Sequence, residues 1–154
     1  MPNNKPDHLT LADDQRQYCQ TRKNAYASAA WWANWLGKAI GFASLIAAVI
    51  AVVLEVSDHH IAGAVAACIA AVLALIDVFY RFPHQARDYA ESFHRFRRAE
   101  ALVAGIVAQM EHAPPGEKQR QLEQAVDLVT QAGAGTLPLS DFSLERARKK
   151  INAA

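Results

Sequence analysis

Cysteine is scarce in this chain of 154 residues, with Cys19 and Cys68 its two examples, and neither belongs to a CxxC pair. That excludes a disulfide-stapled secreted domain and leaves no thiolate set for a zinc site. Net charge is nearly absent too, since 16 Lys and Arg face 15 Asp and Glu. Such a balance gives no footprint for a nucleic-acid binder, and none is predicted as a partner. The six histidines form no HExxH, and Gly133 and Gly135 lack the following GK[ST] of a phosphate loop. Strand-length alternation is missing as well. No nucleophile, acid–base pair, metal cluster or cofactor motif is legible, and the expectation is a non-enzymatic protein without cofactor.

What the chain does have is two apolar blocks. Sixteen residues without charge separate Lys38 from Glu55, and sixteen more separate His60 from Asp77. The mean hydropathy of −0.03 therefore sums a very apolar part and a very polar one. A bilayer core of ~30 Å needs roughly 17–25 apolar residues. Each block reaches that length at its polar end, where Lys38 can snorkel and Val78, Phe79 and Tyr80 extend the second. Two fully buried helices of a soluble bundle would need a coat that little remaining sequence can supply. The expected spans are about 36–56 and 61–80. The first apolar run begins only after a charged, polar-rich stretch of more than thirty residues, which does not fit a secretory signal.

The connection between the spans, 55–60, contains no Lys or Arg. Lys5, Arg16, Arg22, Lys23 and Lys38 precede or open the first span, and Arg81, Arg87, Arg95, Arg97 and Arg98 follow the second. The positive-inside rule then puts both termini in the cytoplasm and the connection outside. Trp31, Trp32 and Trp35, with Phe79 and Tyr80, fall at the cytoplasmic ends as interfacial anchors. So short a connection allows only an antiparallel hairpin, packed through small residues. Gly63, Ala67 and Ala71 offer one such stripe, with Ala66, Ala70 and Ala74 beside it; Gly37, Gly41, Ser44, Ala47, Ala48 and Ala51 offer another.

Lys38 and Asp77 lie at similar depth in such a hairpin. They either pair, within a chain or between subunits, or snorkel separately. Ser44 joins them as an intramembrane polar candidate.

The flanks read as helices. From Leu11 to Trp35 there is no Pro or Gly, and this stretch should run into the first span. After Pro83, Ala86, Tyr89, Phe93, Phe96, Val103, Val107 and Met110 recur at heptad-like steps, with Glu100 the exception. That seam should face the upstream helix, whose Tyr18, Ala25, Ala29 and Trp32 share a face, and it doubles as the expected assembly surface. Ala113-Pro114-Pro115-Gly116 breaks the chain. An amphipathic helix with Leu122, Ala125, Val126 and Val129 on one face follows, and Ser140 or Asp141 should cap a last helix reaching Ile151. The expected organisation is a disordered 1–10, a two-span hairpin domain with cytoplasmic extensions over 11–112, and C-terminal cytoplasmic helices over 113–154. The fold class is an all-α membrane protein.

This layout of helix, span, very short outer turn, span, and a long helix carrying Arg97-Arg98-Ala99-Glu100-x-Leu102 resembles the SLATT family, the SMODS and SLOG-associating two-transmembrane effector domains. The resemblance covers about Asp13 to Met110. It implies an oligomeric effector of a bacterial antiviral or conflict system, multi-pass in the inner membrane, that assembles with copies of itself in the lipid bilayer and breaches it by pore formation or disruption. It also implies a separate signal-generating or sensor protein, because no sensor segment is legible here. The competing expectation is a non-conducting two-span anchor or scaffold that recruits a cytoplasmic partner.

Overall fold

A computed structural model of the chain describes residues 7–57 and 59–152, and every described regular element is a helix. The order is α1 (His8–Val56), α2 (His60–Tyr80), α3 (Phe82–Met110), α4 (Pro115–Gly133) and α5 (Asp141–Asn152). Residues 1–6 of the segment expected to be disordered, and Asp58 of the outer turn, lie outside the described residues. Residues 8–10, expected within that disordered segment, are helical. At a rise of 1.5 Å, the 49 residues of α1 extend for ~70 Å. No proline or glycine interrupts its first half, and glycines 37 and 41 are tolerated in the second.

Contacts divide the chain into two units: residues 30–87, and residues 1–29 with 88–154. In the first, α1 and α2 form an antiparallel hairpin closed by a tight turn. His59 N–H donates to the Leu54 carbonyl at 2.9 Å, and His60 Nδ1 meets Glu55 Oε1 at 2.9 Å. One narrow seam is covered. On α1 it runs through Ala33, Gly37, Ile40, Ser44, Ala47, Ala51 and Leu54, and on α2 through Gly63, Ala66, Ala70, Leu73 and Asp77. Steps of three and four put these residues on one helix face each. The expected α2 stripe is therefore corrected: Gly63 is in contact, but Ala66 and Ala70 take the places of Ala67 and Ala71, which are exposed. On α1, Gly41 and Ala48 are exposed as well.

Outside the seam the hairpin is apolar and uncovered. Phe42, Leu45, Val49, Val52, Ile61, Val65, Ile69, Val72 and Leu75 are all more than half exposed. None of the most apolar stretch of α1 and 11% of that in the second candidate span is buried, so neither is a core helix within this chain. Two helices are long and apolar enough to cross a membrane.

The second unit is a four-helix arrangement with its own core. The first 22 residues of α1 and most of α3 pack with α4 and α5 around Ala12, Cys19, Tyr26, Phe96, Val103, Met110, Ala125 and Val129. Tyr26 stacks on Phe96 with centroids 5.5 Å apart, and Tyr18 meets Phe96 edge-on at 6.4 Å. The upstream face differs from expectation. Ala12, Cys19 and Tyr26 line it at seven-residue intervals, with Ala25 beside them, while Tyr18 is 44% and Trp32 42% exposed. On α4 the buried positions are Ala125, Val129 and Ala132, and Val126 points outward. Ser140 does cap α5: the Ser143 N–H donates to its Oγ at 3.4 Å.

Candidate functional site

The polar groups inside the apolar hairpin come first, because burying them costs most. Ser44 sits on the α1 seam and donates its hydroxyl to the Ala70 carbonyl at 3.1 Å. That hydroxyl is spent within the chain and fixes the register of the two helices. Counting seven residues along each helix from this contact puts Asp77 level with Gly37, the neighbour of Lys38. Asp77 is half-buried, with Oδ1 fully enclosed and without a hydrogen-bond partner. Lys38 is exposed on a different face of α1. No ion pair joins the two among the described residues. Of the arrangements expected for these charges, the intrachain pair is not formed.

The polar end of the hairpin is tightly built. A Cβ added at Gly37 would sit 3.0 Å from Phe82 Cβ and 3.9 Å from Pro83 Cδ, so glycine permits the start of α3 to lie directly on α1. Between α2 and α3 the chain turns on Arg81, which holds φ 47° and ψ 44°, the one non-glycine residue with positive φ among those described. Its N–H donates to the Asp77 carbonyl at 3.0 Å, the bond that usually closes a helix on a glycine. The expected anchors Trp31, Trp32, Trp35, Phe79 and Tyr80 are all exposed, from 42% for Trp32 to 86% for Phe79. They form two edge-on strings, Trp31–Trp32–Trp35 and Phe79–Tyr80, and Tyr80 stacks on Phe82 at 5.5 Å.

The α3 seam is an internal core rather than a free face. Phe96 and Val103 are buried, and Tyr89, Phe93 and Val107 pack half-buried against the same cluster. The deepest burial on α3 falls on the expected Phe96, Val103 and Met110, and the other buried positions are Ser92, Ala99 and Ile106 rather than Phe93 and Val107. Residues of α1 and α4 of the same chain pack against this seam. Glu100, the break in the pattern, is held by Lys23 across the bundle.

Sequence reasoning did not find a cleft of about 330 Å³ lined by Asp14, Gln17, Tyr18, Thr21, Arg22, Leu144, Arg148 and Ile151. The Arg22 guanidinium lies 5.2 Å over the Tyr18 ring there. It needs α5 docked on α1, a contact no local pattern encodes. Burial, with a smaller contribution from Glu100, pushes the Cys19 thiol up to about 11, which leaves it protonated and unreactive. No group of three His, Cys, Asp or Glu side chains able to hold a metal occurs among the described residues. Comparison of the chain with family models, curated proteins and solved structures finds no match.

Proposed function

We propose that this chain is an oligomeric inner-membrane effector that breaches the bilayer when triggered, with both termini in the cytoplasm and the turn at Ser57 outside. The bacterial antiviral or conflict role that accompanies the SLATT-like layout belongs to the same proposal. The observation that carries it is the enclosed, partnerless Oδ1 of Asp77 on the hairpin seam. An inert anchor needs no ionisable group between its spans, and intramembrane carboxylates are retained for work. Two helices enclose no lumen, so several hairpins must assemble. With the α3 seam filled from within the chain, assembly has to run through the spans.

A regulated-expression assay with a membrane-potential dye tests it. Production of the chain under its trigger should collapse the potential, and Asp77→Leu should abolish the collapse while leaving the protein in the membrane fraction. Retained potential under every trigger tried would remove the effector reading.

The second reading, a non-conducting anchor or scaffold, draws on the independent core of the 1–29/88–154 unit, which has the form of a self-sufficient docking module. Exchange of residues 36–80 for an unrelated two-span hairpin separates the two. A scaffold keeps its function and an effector loses it.

A further inference from the structure

We infer that the polar end of the hairpin is a binding surface for acidic phospholipid headgroups, with Lys38, Arg81 and Arg87 as the cations that meet phosphate. This deepens the membrane reading above and rests on it.

Charge in the 30–87 unit is segregated. Lys38, Arg81 and Arg87 are its only Lys and Arg residues, all are exposed, and none has an ion-pair partner among the described residues. At the opposite end Glu55 faces His60 and no Lys or Arg occurs. The three cations are also grouped in depth. Gly37 and Phe82 are in close contact, and Lys38 and Arg81 are their chain neighbours, so one contact fixes both at one level. Arg87 lies six residues along from Arg81, ~9 Å at helical rise, close to the depth of one headgroup layer. Exposed Trp35 and Tyr80 at this level have the amphipathic rings that settle at the boundary between lipid tails and headgroups.

Arg81 adds an independent sign. It occupies a left-handed helix-ending position that glycine fills without strain. The chain accepts strain at that residue to keep a guanidinium there, and strained backbone at a fixed place points to a use for the side chain. The surrounding surface continues into the apolar band of the hairpin, which suits a lipid with charged head and apolar tails. A soluble acidic partner would have to cover exposed aromatic surface on every side.

The test uses the full-length protein reconstituted in vesicles of phosphatidylcholine, with and without phosphatidylglycerol, and measures its preference for spin-labelled phosphatidylglycerol over spin-labelled phosphatidylcholine. A clear preference is expected, weakened by salt and reduced about fivefold for each cation removed in Lys38→Gln, Arg81→Gly and Arg87→Gln. Arg81→Gly is the decisive variant, because it preserves the turn and removes only the side chain. It should melt no lower than the parent yet lose selectivity, and Arg81→Lys should retain it. Equal association of both labels with protein fully inserted in phosphatidylcholine overturns the inference and leaves the membrane reading standing. Competition by inorganic phosphate without lipid preference also overturns it. Failure to insert into any vesicle removes the membrane reading and this inference together.

Discussion

Lys23 and Glu100, 77 positions apart, form an ion pair at 2.5 Å that spans the core between α1 and α3. Their side chains are 22% and 20% exposed, so the pair is largely desolvated. It explains why an acid stands at the position where the α3 seam should be apolar. Glu100→Ala leaves a half-buried ammonium without its partner. Removing one member of a fully buried pair costs about 3–5 kcal/mol, and the remaining exposure lowers the expectation here to about 1–2 kcal/mol. Lys23→Met with Glu100→Leu should recover most of it. Chemical unfolding of the four proteins in mild detergent, read as a double-mutant cycle, gives the coupling.

Gly37 and Gly41 are separated by one helical turn and face different fates. A side chain at Gly37 must push α1 away from Phe82, whereas nothing lies within 4 Å of a Cβ at Gly41. Gly37→Leu should destabilise the hairpin by about 1–3 kcal/mol, the usual cost of overpacking, and Gly41→Leu should be close to neutral. Thermal unfolding followed by the fluorescence of Trp35 distinguishes them. Equal effects at both positions would show that the Gly37–Phe82 contact is not made.

The two long apolar helices were legible because length and composition alone define them. The first was expected to end at 56 and the second to run from 61 to 80, and the helices end at Val56 and run His60–Tyr80. Which face each helix buries was less legible. Along α3 the expected Phe96, Val103 and Met110 are the most buried. Large apolar side chains also drew the seam through the half-buried Phe93 and Val107, whereas Ser92 and Ala99, too small and too weakly apolar to mark the place, are buried beside it. In the apolar parts of these helices every face is apolar, so no contrast distinguished Ala66 and Ala70 from Ala67 and Ala71. The strain at Arg81 and the enclosure of Asp77 Oδ1 depend on tertiary placement, and no spacing of residues encodes either.

Tyr26 is the hub of the second unit, and its hydroxyl reaches beyond the core to donate to the Leu137 carbonyl at 2.9 Å. With Arg95, which donates to the Ala134 carbonyl at 3.0 Å, it ties down the connection to α5. Tyr26→Phe keeps the stacked ring and removes this bond, at a cost of about 1 kcal/mol. Amide exchange should accelerate over 136–144 and stay unchanged in α3. Uniform acceleration across the unit would show that the hydroxyl supports the whole core instead.

Cys19 makes the unit sensitive to alkali. Its thiol titrates at about 11 in the folded chain because burial, and then Glu100, disfavour the thiolate. The unfolded chain has the lower pKa, so stability from this group is complete below pH 9 and is lost as pH rises to 11. The total is about 2–3 kcal/mol at 1.36 kcal/mol per unit. Cys19→Ala should unfold with a flatter stability profile between those limits, the difference from the parent narrowing as pH rises. A parallel pair of profiles would show that the thiol is not the group responsible.

Topology carries the greatest consequence, since the positions of Ser57 and Gln119 relative to the bilayer decide which surfaces a trigger can reach. Single cysteines at these two positions, in a background with Cys19→Ala and Cys68→Ala, can be probed with a membrane-impermeant maleimide. Both residues are exposed in the folded chain, so a failure to label in intact cells reports the bilayer rather than burial. The turn at Ser57 has no Lys or Arg within 15 residues on either side, whereas Gln119 lies between Lys118 and Arg120. The basic-residue bias therefore predicts labelling of Ser57→Cys from outside and of Gln119→Cys only after permeabilisation. Labelling in the opposite sense would invert the orientation and put Lys38, Arg81 and Arg87 in the outer leaflet. Labelling of both sites in intact cells would remove the two-span hairpin itself, because an antiparallel pair of crossings keeps its turn and its far flank on opposite sides.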